Sequence, residues 1–465
     1  MKVLLVNPPI PRVIRMLDFM DEEARKSFGR RVMVGPPLAL NELAGMIPDE
    51  EIIIMDQKTE EDNIEGYHFA EAFEKMLKDF QPDIVGVTCI TAQYNSAMKI
   101  LDITKAYNKK ILTTVGGIHA TLCPETFAGT NADIISIGIG KQSFREIVQT
   151  FKRDGWLADF TNIPSIALNK GNSIQKTRAL CTLSYNEIKE KYLFDEVMPK
   201  RELTDKYPYL IRQMNKRIHY LSTSQGCTHK CNFCSIWQMT DGRYFHKSVD
   251  AIINELKTMD KYPIVRFCDA NTFGDLNKAR ALFTRIIEEG LNDHYFMADV
   301  RTDFVIAHPD VMELAVKAGL KICICGLEAT SDEELAGYNK SNTVANISNA
   351  LKILNEMGVY VNGNYIVKPD YVEKDFERLA SFVENNPIYN SGFTVLTPFP
   401  GTELWEEMKD DVVNFNYDYY NLTNAVTKTT LEEEDFYNHI GQLYRTSRRT
   451  AQRYMQMYNV KLLTD

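Results

Sequence analysis

Two series of short apolar runs, separated by amphipathic stretches, constrain the fold of this chain more than any other feature of its sequence. In the first series the runs occupy residues 3–6, 51–55, 83–88, 111–115 and 133–137, with helical patterns at 69–80 and 96–108. Strands that alternate with helices pair in parallel through right-handed crossovers. Residues 1–155 are therefore predicted to form a doubly wound, Rossmann-like α/β domain that binds its ligand at the carboxyl ends of the strands.

The second series predicts a barrel. Its apolar runs occupy residues 218–223, 264–269, 295–299, 321–325, 359–367 and 392–396, and its helical patterns occupy 248–259, 279–289, 309–318 and 344–357. Six strand–helix units in tandem are typical of a full or partial (β/α) barrel with its site in the carboxyl-end loops. The sequence thus predicts a barrel over residues 210–400, a linker over 156–209 and a tyrosine-rich helical region over 401–465.

The charge and hydropathy of the chain exclude several classes of partner. Its 465 residues include 53 Lys and Arg against 63 Asp and Glu, a net charge of -10, and no basic block of the kind that binds nucleic acid stands out. No run of about 18 apolar residues occurs, so no membrane-spanning helix is expected. The first apolar run ends at Pro8 and Pro9 and is too short for a signal-peptide core. We therefore expect a cytoplasmic protein with no nucleic-acid partner and no membrane span.

Three cysteines on one loop carry the strongest chemical signal. Cys227, Cys231 and Cys234 follow the first strand of the second series with the spacing C-x3-C-x2-C. Thiolates on one loop can converge on an iron–sulfur cluster or on zinc. A structural zinc site needs a fourth ligand, such as His229, whereas three thiolates leave one iron of a cubane free. The nine cysteines are an odd number in a chain without a secretion signal, so metal ligation is favoured over disulfides.

This loop resembles the cluster motif of the radical S-adenosylmethionine (SAM) superfamily, C-x3-C-x-aromatic-C. The resemblance implies that the three cysteines hold a 4Fe-4S cluster whose free iron chelates S-adenosylmethionine, and that Phe233 packs near the adenine. Residues after the next three strands match the contacts to S-adenosylmethionine by position: Asp269, Asn271, Arg301, Asp303, Gly326 and Glu328. The usual Gly-Gly-Glu is absent after the second strand, and Asp269 and Asp303 could instead cap the helices that follow.

The first domain resembles the cobalamin-binding domain attached to one large branch of radical enzymes. The resemblance rests on the loops that follow its strands, and it implies a cobalamin site formed by Asn7, Pro8, Pro9, Thr88, Ile90, Gln93, Tyr94, Gly116, Gly117, His119 and Gly138. Adjacent glycines at 116 and 117 let the backbone approach a bulky ligand, which by resemblance is the nucleotide tail of cobalamin.

Two departures from the relatives alter this expectation. The Asp-x-His-x-x-Gly loop that supplies a histidine to cobalt is missing, because the loop after the first strand reads Asn-Pro-Pro-Ile-Pro. His119 is then expected to be a pocket or hydrogen-bonding residue, and the lower face of cobalt to be open or water-bound with Gln93 or Tyr94 nearby. The second departure is Gly-Ile-Gly-Lys at 138–141, where relatives commonly have Gly-Glu-Gly-Glu, so a role for carboxylates there is in doubt.

The remaining cysteines and the C-terminal tyrosines have simpler interpretations. Cys323 and Cys325 alternate along a strand and are predicted to be core residues. The other thiols, which could lie in the core or in a pocket, are Cys89, Cys123, Cys181 and Cys268. The tyrosines at 417, 419 and 420 fit helix packing better than a substrate cage. Residues 396–402 resemble the loop after the sixth barrel strand, which faces the site, although their Pro and Gly content is typical of a turn.

Together these resemblances imply a cobalamin-dependent radical SAM C-methyltransferase that acts on an unactivated carbon. In that family one S-adenosylmethionine methylates cobalamin, a second yields the 5′-deoxyadenosyl radical, and a ferredoxin- or flavodoxin-like donor supplies the electron. Two alternatives are a radical cyclase or rearrangement enzyme and a cobalamin- or redox-sensing binding protein. The substrate stays open among lipids of the hopanoid type, antibiotic precursors and a glutamine side chain of methyl-coenzyme M reductase.

Overall fold

The computed structural model describes residues 1–29, 35–179, 183–191, 195, 197–211 and 214–458. Within these ranges the chain forms two seven-stranded sheets, each flanked by helices. The first sheet consists of β1 (Lys2–Asn7), β2 (Glu51–Asp56), β3 (Ile84–Thr88), β4 (Leu112–Gly116), β5 (Ile134–Ser136), β6 (Ile166–Asn169) and β7 (Ile174–Lys176). Its strand order is β2-β1-β3-β4-β5-β6-β7, and β1 to β5 are parallel. The doubly wound prediction is therefore confirmed.

Up to Lys191 the described residues form eight α-helices. They are α1 (Glu22–Gly29), α2 (Leu38–Met46), α3 (Gln57–Asn63), α4 (Phe69–Phe80), α5 (Tyr94–Tyr107), α6 (Ile118–Leu122), α7 (Gly140–Asp154) and α8 (Tyr185–Lys191). Apolar side chains of α2 and α7 form a core on one face, and those of α4 and α5 form a second core on the other. The apolar faces of these helices thus account for the alternation in the sequence.

The segment expected to be a linker, residues 156–209, contributes to the first domain. β6 and β7 add to the edge of the sheet as antiparallel strands, so the domain extends past the predicted boundary at 155. These strands are four and three residues long, too short for an alternating pattern to be recognised. The rest of this segment connects the domains, and Tyr207 and Tyr209 donate hydrogen bonds to Glu60 and Asp56 of the first domain at 2.9 and 2.8 Å.

The second sheet curls into a half-barrel. It comprises β8 (Leu210–Ile211), β9 (Lys216–Leu221), β12 (Ile264–Phe267), β13 (Tyr295–Asp299), β14 (Leu320–Glu328), β15 (Tyr360–Val367) and β16 (Asn390–Val395), while β10 (Ser224–Gly226) and β11 (Tyr244–His246) form a separate hairpin. The order is β16-β15-β14-β13-β12-β9-β8. Six strands are parallel, and β8 runs antiparallel at the edge. The prediction of a partial barrel is confirmed.

Helices alternate with the barrel strands and continue into the C-terminal region. They are α9 (Val249–Leu256), α10 (Leu276–Glu288), α11 (Thr302–Ala307), α12 (Pro309–Lys317), α13 (Asp332–Gly337), α14 (Val344–Glu356), α15 (Glu373–Asn385), α16 (Glu403–Met408) and α17 (Glu433–Met457). The C-terminal region is less helical than predicted, because only short 3-10 turns interrupt the loop between α16 and α17. No helix among the described residues is long and apolar enough to cross a lipid bilayer.

Most of the isolated thiols lie inside the protein. Cys323 and Cys325 are fully buried in the barrel core, as predicted. Cys89 and Cys123 are buried in the first domain, whereas Cys268 lines a cavity between the domains. Cys181 lies outside the described residues.

Candidate functional site

The carboxyl ends of the two sheets face each other across one cavity of about 340 Å³. The first domain contributes strand-end residues that include Thr88, Gly116 and Gly138, and the barrel domain contributes residues 224–226 and 268–270. The cavity therefore reaches from the predicted cobalamin loops to the residue that directly precedes Cys227. Of the predicted site residues, the cavity brings together Thr88, Gly116, Gly117, Gly138 and Asp269.

From its rim the cavity continues as a slot between the first sheet and helices α2 and α7. Leu5, Gly86 and Thr114 are paired across three neighbouring strands and line this slot, as does Phe144 of α7. A Cβ atom at Gly86 would lie 2.9 Å from Leu5 Cδ2 and 3.2 Å from Thr114 Oγ1. Neighbouring side chains thus already occupy the space beside Gly86, so a larger residue there would collide with the lining of the slot.

A buried ion pair closes one side of this slot. Lys141 Nζ of α7 lies 2.7 Å from Glu42 Oε1 of α2, and both side chains are 6% exposed. Lys247 of the barrel domain lies 3.8 Å from the same oxygen and 3.1 Å from Glu255 Oε2. Burial lowers the pKa of Lys141, and although burial alone would raise the pKa of Glu42, the two lysines hold it below its usual value.

From the sequence, Lys141 is recognised only as a departure from the Gly-Glu-Gly-Glu of relatives. Glu42 is not recognised at all. The two residues lie 99 positions apart in the chain, and an acidic residue on an apolar helix such as α2 carries no local signal. A lysine in the first turn of a helix opposes the helix dipole, which is the one hint that Lys141 needs a buried partner.

Several predicted cobalamin residues lie beside the cavity with their polar atoms already engaged. Gln93 donates to Asn7 Oδ1 at 2.9 Å and to the Pro8 carbonyl at 2.7 Å, and Asn7 donates to Asp56 at 2.8 Å. The Tyr94 hydroxyl donates to the Thr126 carbonyl at 2.6 Å. None of Asn7, Gln93 and Tyr94 lines the cavity, so the structure gives no support for Gln93 or Tyr94 as the residue nearest cobalt.

His119 is a buried hydrogen-bonding residue rather than a cavity residue. Its two ring nitrogens lie 3.3 Å from the hydroxyls of Thr91 and Thr126, and the rings of Tyr94 and Tyr417 pack against it. Burial lowers its pKa to about 4, so the imidazole is neutral at neutral pH. This agrees with the hydrogen-bonding role expected from the sequence.

Three other predicted cobalamin residues lie on the loops after β1 and β3. Ile90 is 42% exposed on the loop after β3, whereas Pro8 and Pro9 are buried after β1. Neither the proline pair nor Ile90 lines the cavity, so their place in a cobalamin site stays a prediction.

The three-cysteine loop is held by contacts from two directions. The hairpin β10–β11 leads into Cys227, and the amide of His229 points at Cys227 Sγ, 3.5 Å away. Trp237 donates its indole N–H to the Cys231 carbonyl at 3.1 Å. On the other side, Asn232 donates to the Gly337 carbonyl of α13 at 3.1 Å. A loop braced in this way presents its thiols in a fixed arrangement.

Burial and nearby positive charges act on these thiols in opposite directions. Burial raises the pKa of Cys231 and Cys234, while the positive charges of Lys340 and Arg301 lower that of Cys231. Among the described residues, no three His, Cys, Asp or Glu side chains converge closely enough to hold a single metal ion. Three thiolates on one loop are compatible with a 4Fe-4S cluster, in which each thiolate binds a different iron.

Asp269 supports the start of the cysteine loop and does not cap a helix. Its carboxylate accepts hydrogen bonds from the backbone N–H of Thr223 at 2.8 Å and of Ser224 at 2.9 Å, and from the Thr223 hydroxyl at 2.6 Å. The cap of the following helix α10 is Asp275 instead. The helix-cap alternative for Asp269 is therefore wrong, and its saturated carboxylate leaves little capacity for a direct contact with S-adenosylmethionine.

The remaining predicted contacts form pairs around the cysteine loop. Asn271 donates to the Thr228 hydroxyl at 3.0 Å, and Arg301 holds Asp303 through two nitrogens, the shorter contact being 2.6 Å. Phe233 packs edge-on against Tyr338, with 5.4 Å between ring centroids.

Glu328 and Gly326 share one cation that sequence reasoning missed. Lys340 Nζ lies 2.7 Å from Glu328 Oε1 and 2.6 Å from the Gly326 carbonyl. Glu328 has a positive φ of 60°, which is uncommon for a residue with a side chain and marks constrained backbone.

Asp269 predicts a pH dependence of stability. Burial raises the pKa of its carboxyl to about 6, whereas an aspartate in the unfolded chain titrates near 3.9. The folded state therefore binds more protons between these values, and this contribution to the free energy of unfolding is fully present below about pH 4 and falls by up to ~3 kcal/mol as the pH rises through 6.

Chemical denaturation of the cofactor-free wild type and of Asp269→Asn between pH 4 and 7 isolates this effect, since other groups titrate in both proteins. The stability of wild type relative to the variant should decrease with rising pH. A difference that is constant or that increases would contradict the prediction.

Comparisons with known protein families match both domains. The family profile of the B12 binding domain matches residues 28–148, and that of the radical SAM superfamily matches residues 221–383. The first match includes the glycines of the cavity rim, and the second includes all three cysteines of the loop.

Similar sequences occur in several anaerobic and methyl-transferring proteins. An uncharacterised methyltransferase of Pyrococcus horikoshii is 29% identical over 425 residues, 87% of this chain and 83% of that protein. The anaerobic magnesium-protoporphyrin IX monomethyl ester cyclase of Cereibacter sphaeroides is 24% identical over 403 residues, 83% of this chain and 64% of that protein. The hopanoid C-3 methylase of Methylococcus capsulatus is 24% identical over 400 residues, 82% of this chain and 71% of that protein.

Two solved structures share the fold of both domains. The radical S-adenosylmethionine methyltransferase TsrM from Kitasatospora setae aligns with a TM-score of 0.66 at 15% identity, over 88% of this chain and 74% of that chain. The cobalamin-dependent S-adenosylmethionine radical enzyme OxsB aligns with a TM-score of 0.62 at 16% identity, over 99% of this chain and 62% of that chain.

Proposed function

Because this chain belongs to the radical SAM enzymes that carry a B12-binding domain, we propose that it transfers a methyl group from S-adenosylmethionine to an unactivated carbon of its substrate. One observation carries this proposal. One cavity is lined both by Gly116, Gly117 and Gly138 of the B12-binding domain and by residues 224–226, which lead into Cys227. A methyl carrier and a radical generator would therefore act on a substrate held between them.

The residues of this chain have distinct roles in the proposal. Cys227, Cys231 and Cys234 would hold the cluster, while Thr88, Gly116 and the slot beneath α2 and α7 would hold cobalamin. When bound, the cluster supplies the electron that cleaves S-adenosylmethionine and cobalamin supplies the methyl group. The apolar lining of the cavity would keep water away from the reacting carbon.

The proposed S-adenosylmethionine contacts lie beside the cysteine loop. Arg301 and Lys340 are close enough to lower the pKa of Cys231, so their charges would attract the carboxylate of the methionine moiety. Asn271, which donates to Thr228 on the loop, would help to orient the same moiety. Asp269 would act through the loop that it supports.

A cyclase or rearrangement enzyme is the second candidate, because the magnesium-protoporphyrin ester cyclase resembles this chain over much of its length. Methyl transfer is favoured by the likeness to proteins named methyltransferases or methylases. Lipids, antibiotic precursors and the glutamine of methyl-coenzyme M reductase stay candidate substrates.

The proposal predicts that two adenosyl products form together. With substrate, a strong reductant, cobalamin and the reconstituted cluster, S-adenosylhomocysteine and 5′-deoxyadenosine should accumulate in about equal amounts, and the substrate should gain the mass of one methylene. The time course is measured by chromatography and mass spectrometry. In Glu328→Ala, which removes the partner of Lys340, 5′-deoxyadenosine formation should decrease more than cobalamin binding.

The same measurement separates the two candidate functions. If 5′-deoxyadenosine forms while neither S-adenosylhomocysteine nor a methylated product does, methyl transfer is excluded and the cyclase or rearrangement function replaces it. If the reconstituted protein does not cleave S-adenosylmethionine, both enzymatic functions fail and a binding protein takes their place.

A further inference from the structure

The slot between the first sheet and helices α2 and α7 contains one buried carboxylate, that of Glu42. Glu42 is 95% buried, its exposed fraction being 5%, and it lines the slot together with Leu5, Leu38 and Phe144. Both of its ionic contacts, with Lys141 and Lys247, use the oxygen Oε1. Among the described residues, the other carboxylate oxygen, Oε2, has no hydrogen-bond donor. A carboxylate oxygen of this kind can accept a hydrogen bond from a ligand in the slot.

The lining of the slot indicates which part of a ligand would enter it. Gly116 and Ser136 lie at the carboxyl ends of β4 and β5, whereas Leu5, Gly86 and Thr114 lie further inside the sheet. A narrow, largely apolar slot between a sheet and two helices accepts a flat heteroaromatic ring. In a cobamide, the cofactor class that includes cobalamin, the ring at the far end of the nucleotide loop is the lower base.

We propose that Glu42 and Lys141 select a cobamide whose lower base carries a hydrogen-bond donor on its outer ring edge. This inference rests on the proposed function, because it assumes that the slot holds the cobamide tail. The dimethylbenzimidazole of cobalamin presents two methyl groups at that edge, which cannot donate to Glu42. A hydroxybenzimidazole of similar size presents a hydroxyl group, which donates to Glu42 and can accept from Lys141 Nζ.

The first test compares two cobamides on the wild-type protein. Equilibrium dialysis of the full-length, cluster-reconstituted protein, followed by corrin absorbance, gives the Kd of 5-hydroxybenzimidazolyl cobamide and of cobalamin. A hydrogen bond to a buried charge predicts that the hydroxylated cobamide binds about tenfold to a hundredfold more tightly. Equal affinities, or tighter binding of cobalamin, would overturn the inference and leave the proposed function intact. If neither cobamide binds, the inference and the proposed function fail together.

The second test removes the Glu42–Lys141 ion pair without changing the net charge of the protein. In the double variant Glu42→Leu with Lys141→Met, the preference should disappear, and cobalamin should bind at least as well as the hydroxylated cobamide. The matched control is Glu125→Leu with Lys176→Met, an ion pair of the same domain whose side chains are 65% and 52% exposed. The control should keep the wild-type preference.

Two outcomes of the variant experiment would count against the inference. A preference that survives in the Glu42–Lys141 variant would show that other residues create it, and a preference lost equally in the control would show a general effect on the domain. Should the double variant fail to fold, the wild-type comparison decides the inference by itself.

Discussion

Replacement of Cys227, Cys231 and Cys234 by alanine is expected to abolish iron–sulfur absorption and the cleavage of S-adenosylmethionine. The three thiols share one loop, which Trp237 and Asn232 hold in place through hydrogen bonds. Iron content, visible absorption and 5′-deoxyadenosine release after anaerobic reconstitution measure the effect. All three should fall to the background of protein that has not been reconstituted.

Cys123→Ala provides the matched control for this experiment. Cys123 is also buried, but it lies in the first domain, where its backbone N–H donates to the His119 carbonyl. The control should keep its full iron content and its cleavage activity. A triple variant that retains a complete cluster would exclude the loop as the cluster site.

A phenylalanine at Gly116 is expected to weaken cobalamin binding by a hundredfold or more, since the side chain would fill the rim of the cavity. Gly116 has no positive φ, and a Cβ atom there would meet only Ser136 Cβ, at 3.5 Å. The variant should therefore fold with nearly unchanged Tm, because the new side chain enters the cavity rather than a packed core. Equilibrium dialysis and thermal unfolding measure the two effects separately.

Two other glycines make this prediction specific. Gly29→Phe, at an exposed helix end with no atom near its Cβ position, should leave binding and Tm unchanged. Gly117→Ala should instead lower the stability by about 1–3 kcal/mol, because its φ is +107° and its Cβ would lie 2.7 Å from the Cys89 carbonyl. Unchanged cobalamin affinity in Gly116→Phe would show that the cofactor does not enter through this rim.

The sequence predicts the repeated elements well because each of them has a local pattern. The apolar spacing over residues 69–80 matches α4 (Phe69–Phe80), and the strand at 295–299 matches β13 (Tyr295–Asp299). Short elements are not predicted, because a strand of three residues does not establish an alternation of apolar and polar side chains. An example is β7 at Ile174–Lys176.

The site is predicted only where its residues are neighbours in sequence. The three cysteines lie within eight positions of the chain, so their spacing alone indicates a common centre. The partners of Lys141 and Glu328 depend on chain segments that meet only after folding, and no spacing rule connects Lys141 to Glu42. The sequence predicts a strand that reaches Asp269, whereas β12 ends at Phe267. The direction of the Asp269 side chain, toward Thr223 and Ser224, depends on a neighbouring loop.

The packing of the C-terminal region against the first domain has a consequence for how the chain folds. Helix α17 contacts α1, Arg15 pairs with Glu433 at 3.1 Å, and Tyr417 packs against His119. Contacts between residues about 300 to 420 positions apart raise the contact order, which slows folding. During synthesis the first domain therefore lacks part of its final packing until α17 has left the ribosome, so its completion follows translation rather than accompanying it.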